Sequence, residues 1–445
     1  MTAKPPADPG SAPAPAAASD RARAQQHTLR VLVASQVLSG AGLAAGVTVG
    51  ALLAQDMLHS TGLAGLPSAL FTAGSALAAV AVGRISQARG RRPGLAAGYL
   101  AGAVGSAGVI TAAVLDNAVL LFAALFVYGA GTATNLQARY AGADLADPNH
   151  RARAVSTVLV ATTLGGVLGP NLAAPTGHLA GAFGIPHLAG PFLLSGAAYA
   201  LAALVLALRL RPDPLLLART FAEAEAEAAA SDGPSPRSTV GTRTGTGTGT
   251  GFENGDPRGV LVGALVMVLT QLVMVAIMTM TPVQLHDHGH GTAATGLVIG
   301  IHIGAMYLPS PITGRLVDRY GRRRLAVASG VVLLVAGLLA ALAPADSVAL
   351  LALALALLGI GWNLGLVSGT AIVTDTVPLA TRARTQGLVD VSVALAGATG
   401  GMASGLVVAA TSYPVLAVAC GILALGVLPA VAASSVAGPR TAHGG

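Results

Sequence analysis

Charged side chains are scarce in this chain. Asp, Glu, Lys and Arg make up 10% of its 445 residues, against about 25% in a soluble globular domain, so that class is excluded. Cysteine is all but missing. Cys420 stands alone, which rules out a disulfide framework and a Cys-based zinc site. Lysine is limited to Lys4 among 25 basic residues. No cleavable leader pattern is evident, because the first apolar run, starting near Arg30, is long enough to persist as a helix. What is abundant is apolar mass, 53% of the chain, together with 58 glycines. That mass excludes a disordered chain. Apolar runs of about 20 residues recur along nearly the whole length, each able to span a bilayer as a helix. The net charge of +7 sits as short arginine clusters between these runs. It reads as a topology signal, not as a nucleic-acid-binding surface.

The spacing predicts an all-α membrane protein with twelve spans at 30–54, 62–83, 93–115, 118–138, 154–173, 190–210, 259–284, 295–313, 325–343, 347–372, 386–408 and 413–435. Residues 1–28, rich in Pro and Ala, are expected to be a disordered cytoplasmic tail. A polar insert at 212–257 carries an acidic helical pattern and then Thr-Gly repeats that read as a flexible linker. The chain therefore divides into a six-helix half at 29–211, the linker, a second six-helix half at 258–436, and a tail at 437–445. Arginines follow spans two (Arg84, Arg89, Arg91, Arg92), four (Arg139, Arg151, Arg153), eight (Arg315 to Arg324) and ten (Arg382, Arg384). The opposite loops hold no Lys or Arg, which predicts both termini on the cytoplasmic side of an inner or plasma membrane.

The halves repeat. Asp144 precedes Arg151-Ala-Arg153 as Asp375 precedes Arg382-Ala-Arg384, and spans four and ten share Gly129-x-Gly131 and Gly359-x-Gly361. Parallel six-helix halves are a transporter architecture with the solute held near the midplane.

The loop after span eight reads Gly314-Arg-Leu-Val-Asp318-Arg319-Tyr-Gly321-Arg322-Arg323-Arg324. It resembles the cytoplasmic signature of the major facilitator superfamily. The matching first-half loop keeps Gly83, Gly90, Arg91 and Arg92 but has Gln87-Ala88 in place of Asp-Arg. The resemblance implies a major facilitator fold, and a latch formed by Gly314, Asp318, Arg319, Gly321, Arg322 and Arg323 that helps close the cytoplasmic side. A carboxylate is well stabilised there by Arg and by helix-end amides. In span five, Gly165-Gly166-Val-Leu-Gly169-Pro170 resembles the family's antiporter motif, with Ala173 and Ala174 where that motif has Gly. Close helix packing accounts for the same residues equally well. The arginine that drug–proton antiporters carry in span four is replaced here by Leu125 or Phe126, which counts against drug efflux.

Five of the eight methionines fall between residues 267 and 306. Span seven has Met274-x-x-x-Met278 and span eight has His302-x-x-x-Met306, each pair on one helix face. Met278 and His302 lie about 10 Å from the outer span ends, and Met274 and Met306 about 16 Å, at about 1.5 Å per residue. Antiparallel neighbours would set these four groups at two matched levels. Thioethers select Cu(I), and imidazole accepts copper. Packing is the competing explanation, since Met fills cores, whereas an intramembrane His is costly. The pairing also resembles the CcoA-like copper-uptake branch of the superfamily, which includes riboflavin importers with similar motifs. Outside, His286-Asp287-His288-Gly-His290 offers a set for metal capture, or else a pH-sensitive turn. Gln36, Asn135, Trp362 and Asn363 are expected to line a central cavity. Asp390 is either a partner of the cytoplasmic arginines or a proton-coupling acid. The reading is a monomeric transporter without a cofactor, importing copper as cargo. The alternatives are riboflavin or another small organic solute, proton-coupled drug efflux, or a receptor without flux. No cofactor loop or nucleophile–base pair suggests an enzyme.

Overall fold

The computed structural model describes residues 14–58, 66–231, 256–290, 292–344 and 347–435. Among these described residues it is a bundle of fifteen α-helices. The first half holds α1 (Ala14–Leu58), α2 (Leu66–Arg89), α3 (Arg91–Val114), α4 (Ala118–Ala143), α5 (Arg151–Ala182) and α6 (Gly190–Arg209), followed by α7 (Pro214–Ser231). The second half holds α8 (Pro257–Asp287), α9 (Thr292–Tyr307), α10 (Ser310–Tyr320), α11 (Arg322–Leu342), α12 (Val348–Thr376), α13 (Arg382–Ala410), α14 (Tyr413–Ala424) and α15 (Val427–Ser435). Among the described residues ten segments are long and apolar enough to cross a membrane, one of them running through α9 and α10. α1 and α5, of 45 and 32 residues, complete an order consistent with twelve spans. Helices are what lipid demands, since every backbone polar group must be satisfied within the segment.

Local chemistry sets the ends. The Asn117 side chain accepts from Leu120 N at 2.9 Å to open α4, and Ser347 accepts from Leu350 N at 3.3 Å to open α12. Pro309, which has no N–H to give, follows α9 and separates it from α10. Gly90 and Gly321 hold φ of +99° and +93° at the mirrored turns into α3 and α11, a region open to glycine. The Gly-x-Gly repeat has a packing cause. A Cβ on Gly129 would lie 2.3 Å from Phe71 O of α2, and one on Gly359 would lie 2.7 Å from His302 O of α9. Glycine lets α4 and α12 approach equivalent neighbours in the two halves.

One sequence expectation changes. The tail expected at 1–28 is helical from Ala14 onward, as the start of α1. Gln25 Nε2 donates to Gly142 O at 2.7 Å and Arg21 Nε to Leu145 O at 3.2 Å, so this segment is tied to the end of α4. Residues 1–13 lie outside the described residues, as do 436–445 and the Thr-Gly repeat of the insert. The acidic part of the insert forms α7. Its start is set by Asp213, which accepts from Leu215 N at 3.0 Å and from Arg92 N at 2.7 Å.

Candidate functional site: the seam between the halves

The halves meet along two seams, α2 against α13 and α5 against α10. At the arginine-rich end each seam is closed by one side chain that caps the helix opposite. Asp318 of α10 accepts from Ala152 N at 3.1 Å and from Arg153 N at 3.0 Å, at the start of α5. A carboxylate is favoured there by the free amides and the helix dipole. On the other seam Gln87 of α2 accepts from Ala383 N at 2.8 Å and Arg384 N at 3.4 Å, at the start of α13. Its amide also donates to Ala380 O at 2.6 Å and Leu379 O at 3.2 Å. The first-half loop that lost its acid in the sequence thus keeps the contact, in neutral form.

Gly314 allows the approach. A Cβ there would lie 2.6 Å from Ser156 Oγ and 2.9 Å from Ala152 O. Arg322 bonds Pro148 O at 2.6 Å and pairs with Asp375, which also binds Arg151 from the first half. The mirrored set is buried. Arg91 Nε donates to Asp144 Oδ2 at 2.7 Å, and Arg91 Nη2 reaches Gln386 Oε1 across the seam. Arg319 and Arg323 are exposed, Arg319 lying over the ring of Tyr320.

Arg139 departs from the sequence reading. It is not a loop arginine: it lies inside α4, fully buried, with Nη2 2.6 Å from Asp390 Oδ1 on α13. Nε donates to Thr370 Oγ1 of α12 at 2.9 Å, and the Tyr140 hydroxyl donates to the same Asp390 oxygen at 3.2 Å. Asp390 therefore pairs with the arginine of the opposite half, one turn inside the seam. Arg91 is corrected likewise, from topology signal to buried ion-pair partner. Arg91 could have been suspected from the repeat of Asp144 and Asp375, each of which needs a cationic partner; nothing in that repeat points to Arg139.

The residues expected around a central cavity separate into groups. Gln36 Nε2 donates to Asn135 O at 3.0 Å and to Thr162 Oγ1 at 3.1 Å, and Asn135 Nδ2 donates to Ser39 Oγ at 2.8 Å. Tyr99 OH donates to Gln36 Oε1 at 2.5 Å. This is a buried, mutually satisfied network joining α1, α3, α4 and α5. In the second half, Trp362 Nε1 donates to Gln271 Oε1 of α8 at 2.7 Å, and its ring meets Tyr307 edge-on with centroids 5.6 Å apart. Asn363 does not join them. It is fully buried and donates to Met306 O at 2.8 Å and to Ser310 Oγ at 2.6 Å, which ties α12 to the break between α9 and α10.

Met274 and Met306 are buried in the second-half core, with Met278 half-buried against it. α8 and α9 do not form the seam expected of them. Both pack along α12 and touch each other only slightly, so a third helix stands between the two motif pairs. His302 leans on that helix. Its Nδ1–H donates to Leu355 O at 2.8 Å, and Nε2 is buried without a hydrogen-bond partner. Among the described residues no three of His, Cys, Asp and Glu converge as metal ligands. α8 continues through Asp287, which splays successive side chains around its axis, and His288 Nδ1 folds back onto Gln284 O at 2.7 Å. His290 N bonds Leu285 O at 3.0 Å. The side chain of His286 lies outside what is described. In the antiporter-like stretch, Gly165 serves close packing, since a Cβ there would lie 2.2 Å from Val37 O of α1. The side chains of 166–171 are not among those described.

The model of the Major Facilitator Superfamily matches residues 32–306 and 262–443. The chain belongs to this superfamily. Two MFS-type transporters of Bacillus subtilis (strain 168), both uncharacterized, are similar along nearly their whole length. YdeG is 56% identical over 406 residues, 91% of each chain, and YddS is 52% identical over 406 residues, 91% of this chain and 90% of YddS. The riboflavin transporter RfnT of Brucella anthropi is 29% identical over 378 residues, 83% of this chain and 86% of RfnT. Among solved structures, the human organic anion transporter MFSD10 aligns with a TM-score of 0.71 at 16% identity, over 92% of this chain and 99% of that one. The major facilitator chain is thus an integral membrane transporter. The copper branch finds no support among these relatives.

Proposed function

We propose that the protein is a secondary active transporter that imports a planar organic solute of flavin-like chemistry by alternating access. Both termini face the cytoplasm, and the halves at 29–211 and 258–436 rock as units about a monomeric core. The observation that carries the solute class is Trp362, whose indole is buried in this conformation, held by Gln271 and braced by the Tyr307 ring, and would be uncovered as the halves part. A fixed aromatic face beside a side-chain amide suits a flat, hydrogen-bonding ring system. The similarity to a riboflavin transporter supports the same class. Uptake of radiolabelled riboflavin by auxotrophic cells expressing the protein tests it. Growth rescue that falls in Trp362→Ala and Gln271→Ala is expected. Rescue by neither the wild type nor a variant, in cells where the protein reaches the membrane, overturns it.

Copper is the second reading, and His302 is the observation that favours it. A ring with Nδ1–H anchored on a backbone carbonyl and Nε2 free is the arrangement a metal-binding histidine adopts. Met306, one turn further along the same helix, would share the site, whereas Met274 and Met278 of α8 would have to approach past α12. Isotopic copper uptake that is unchanged in Met278→Ala and His302→Ala removes this reading.

A further inference from the structure

The buried pair of Arg139 and Asp390 joins the two halves, and the latch residues at the seam do not account for it. Arg139 comes from α4, yet its guanidinium is sunk into the second half. It touches Asp390 of α13, Thr370 of α12 and the Met267 sulfur of α8, at 2.6, 2.9 and 3.9 Å. Nη2 also donates to Tyr140 OH at 3.0 Å, and Nη1 is held by Leu136 O of its own helix. Both members of the pair are buried. Opening the seam at this end would separate them and leave an unpaired charge in each apolar wall, which low dielectric makes costly.

The carboxylate offers a way out. Asp390 Oδ1 carries both hydrogen bonds, from Arg139 and Tyr140, while Oδ2 is buried with no hydrogen-bond partner among the described residues. A proton added at Oδ2 makes the acid neutral without displacing either donor. Arg139 then keeps its bond to Leu136 O and its contact with Tyr140, whose ring lies 4.2 Å from the guanidinium carbon. The charged or titratable groups acting on Asp390 are Arg139 and Tyr140 of α4 and Arg91 of α3. α2, which also packs on α13, meets it at Gly387 with Ala79 and Gly83 and at its first turn with Gln87, none of which carries charge.

We propose that Asp390 is the proton-coupling residue of this transporter, and that its protonation from the aqueous side releases Arg139 and lets the halves part at the arginine-rich end. This rests on the alternating-access reading but not on the identity of the solute. It is tested without any solute. In protein with Cys420→Ser, spin labels are placed on two exposed residues of opposite halves, Ala88 on α2 and Arg315 on α10. The distance between them is measured in lipid nanodiscs from about pH 8 to about pH 5. The wild type is expected to move from a short to a long distance as pH falls. Asp390→Asn, which mimics the neutral acid, is expected to show the long distance at every pH. The exchanged pair, Arg139→Asp with Asp390→Arg, is expected to restore the short distance at high pH. That control separates loss of the lock from loss of folding. A wild-type distance that ignores pH, or an Asp390→Asn protein that still follows it, overturns the proposal. Failed riboflavin or copper uptake alone leaves these distances unaffected, so the two ideas fail separately.

Discussion

Gln87 and Asp318 perform the same act on opposite seams. Each caps the first turn of a helix from the other half, Gln87 at Ala383 N and Arg384 N, Asp318 at Ala152 N and Arg153 N. One is neutral and one is charged. Asp318 draws on the dipole of α5, whereas Gln87 makes up for the missing charge with two donated bonds to Leu379 O and Ala380 O.

The two caps should answer differently to salt. Asp318→Asn is expected to cost about 1 kcal/mol, as the loss of a good cap does, and to cost less as ionic strength rises. Gln87→Ala is expected to cost a similar amount at any salt concentration. Thermal melting of both variants across a salt series checks this. A Gln87→Ala penalty that shrinks with salt in step with Asp318→Asn would refute the distinction.

Two glycines of one loop should fail in different ways. Gly314→Ala puts a Cβ 2.9 Å from Ala152 O and 2.9 Å from Arg153 Cα. It is expected to push α10 off α5 and lengthen distances across that seam. Gly321→Ala meets nothing within 4 Å but must hold φ near +93°, which costs about 1–3 kcal/mol in strain. It should lower the melting temperature and leave the seam closed. Melting curves combined with spin-label distances separate the two outcomes.

Arg91→Gln strands the buried carboxylate of Asp144, which is 1% exposed. A loss of about 3–5 kcal/mol is expected, the usual consequence of removing one member of a buried pair. Adding Asp144→Asn should recover much of it, because an amide needs no counter-charge. A double-mutant cycle on denaturation midpoints measures the coupling, and full additivity would argue against the pair.

The outer histidines should be dispensable for metal. His288 is exposed and bonded to Gln284 O, and no ligand trio forms among the described residues. His288→Ala with His290→Ala is expected to leave copper binding by the purified protein unchanged in equilibrium titrations. If copper binds at the midplane, His302→Ala alone should weaken it.

Much of this molecule was legible without coordinates. Span length depends on bilayer thickness, so apolar runs located the helices directly. The paired Asp144 and Asp375 loops, and the paired Gly-x-Gly, announced two similar halves because equivalent helix contacts need equivalent small residues. The loop from Gly314 to Arg323 stood out in the sequence by its pattern, and within it Asp318 accepts from the amides of Ala152 and Arg153 at the start of α5. Positions that follow the charge count were read less well. Arg91 and Arg139 look like loop arginines because they stand beside genuine ones. The last turns of α4 and the first of α3 carry them inward, and nothing local marks a charge as buried when its partner is 251 residues away.

The sequence by itself determined a helical membrane transporter built from two related halves, because helix formation in lipid and close glycine packing are set by short stretches of chain. Only the tertiary structure decided that α12 stands between the two methionine-bearing helices, that Asn363 clamps a helix break, and that Arg139 meets Asp390 across the seam. Those outcomes depend on which helices become neighbours, and neighbours are chosen by the packing of the whole bundle.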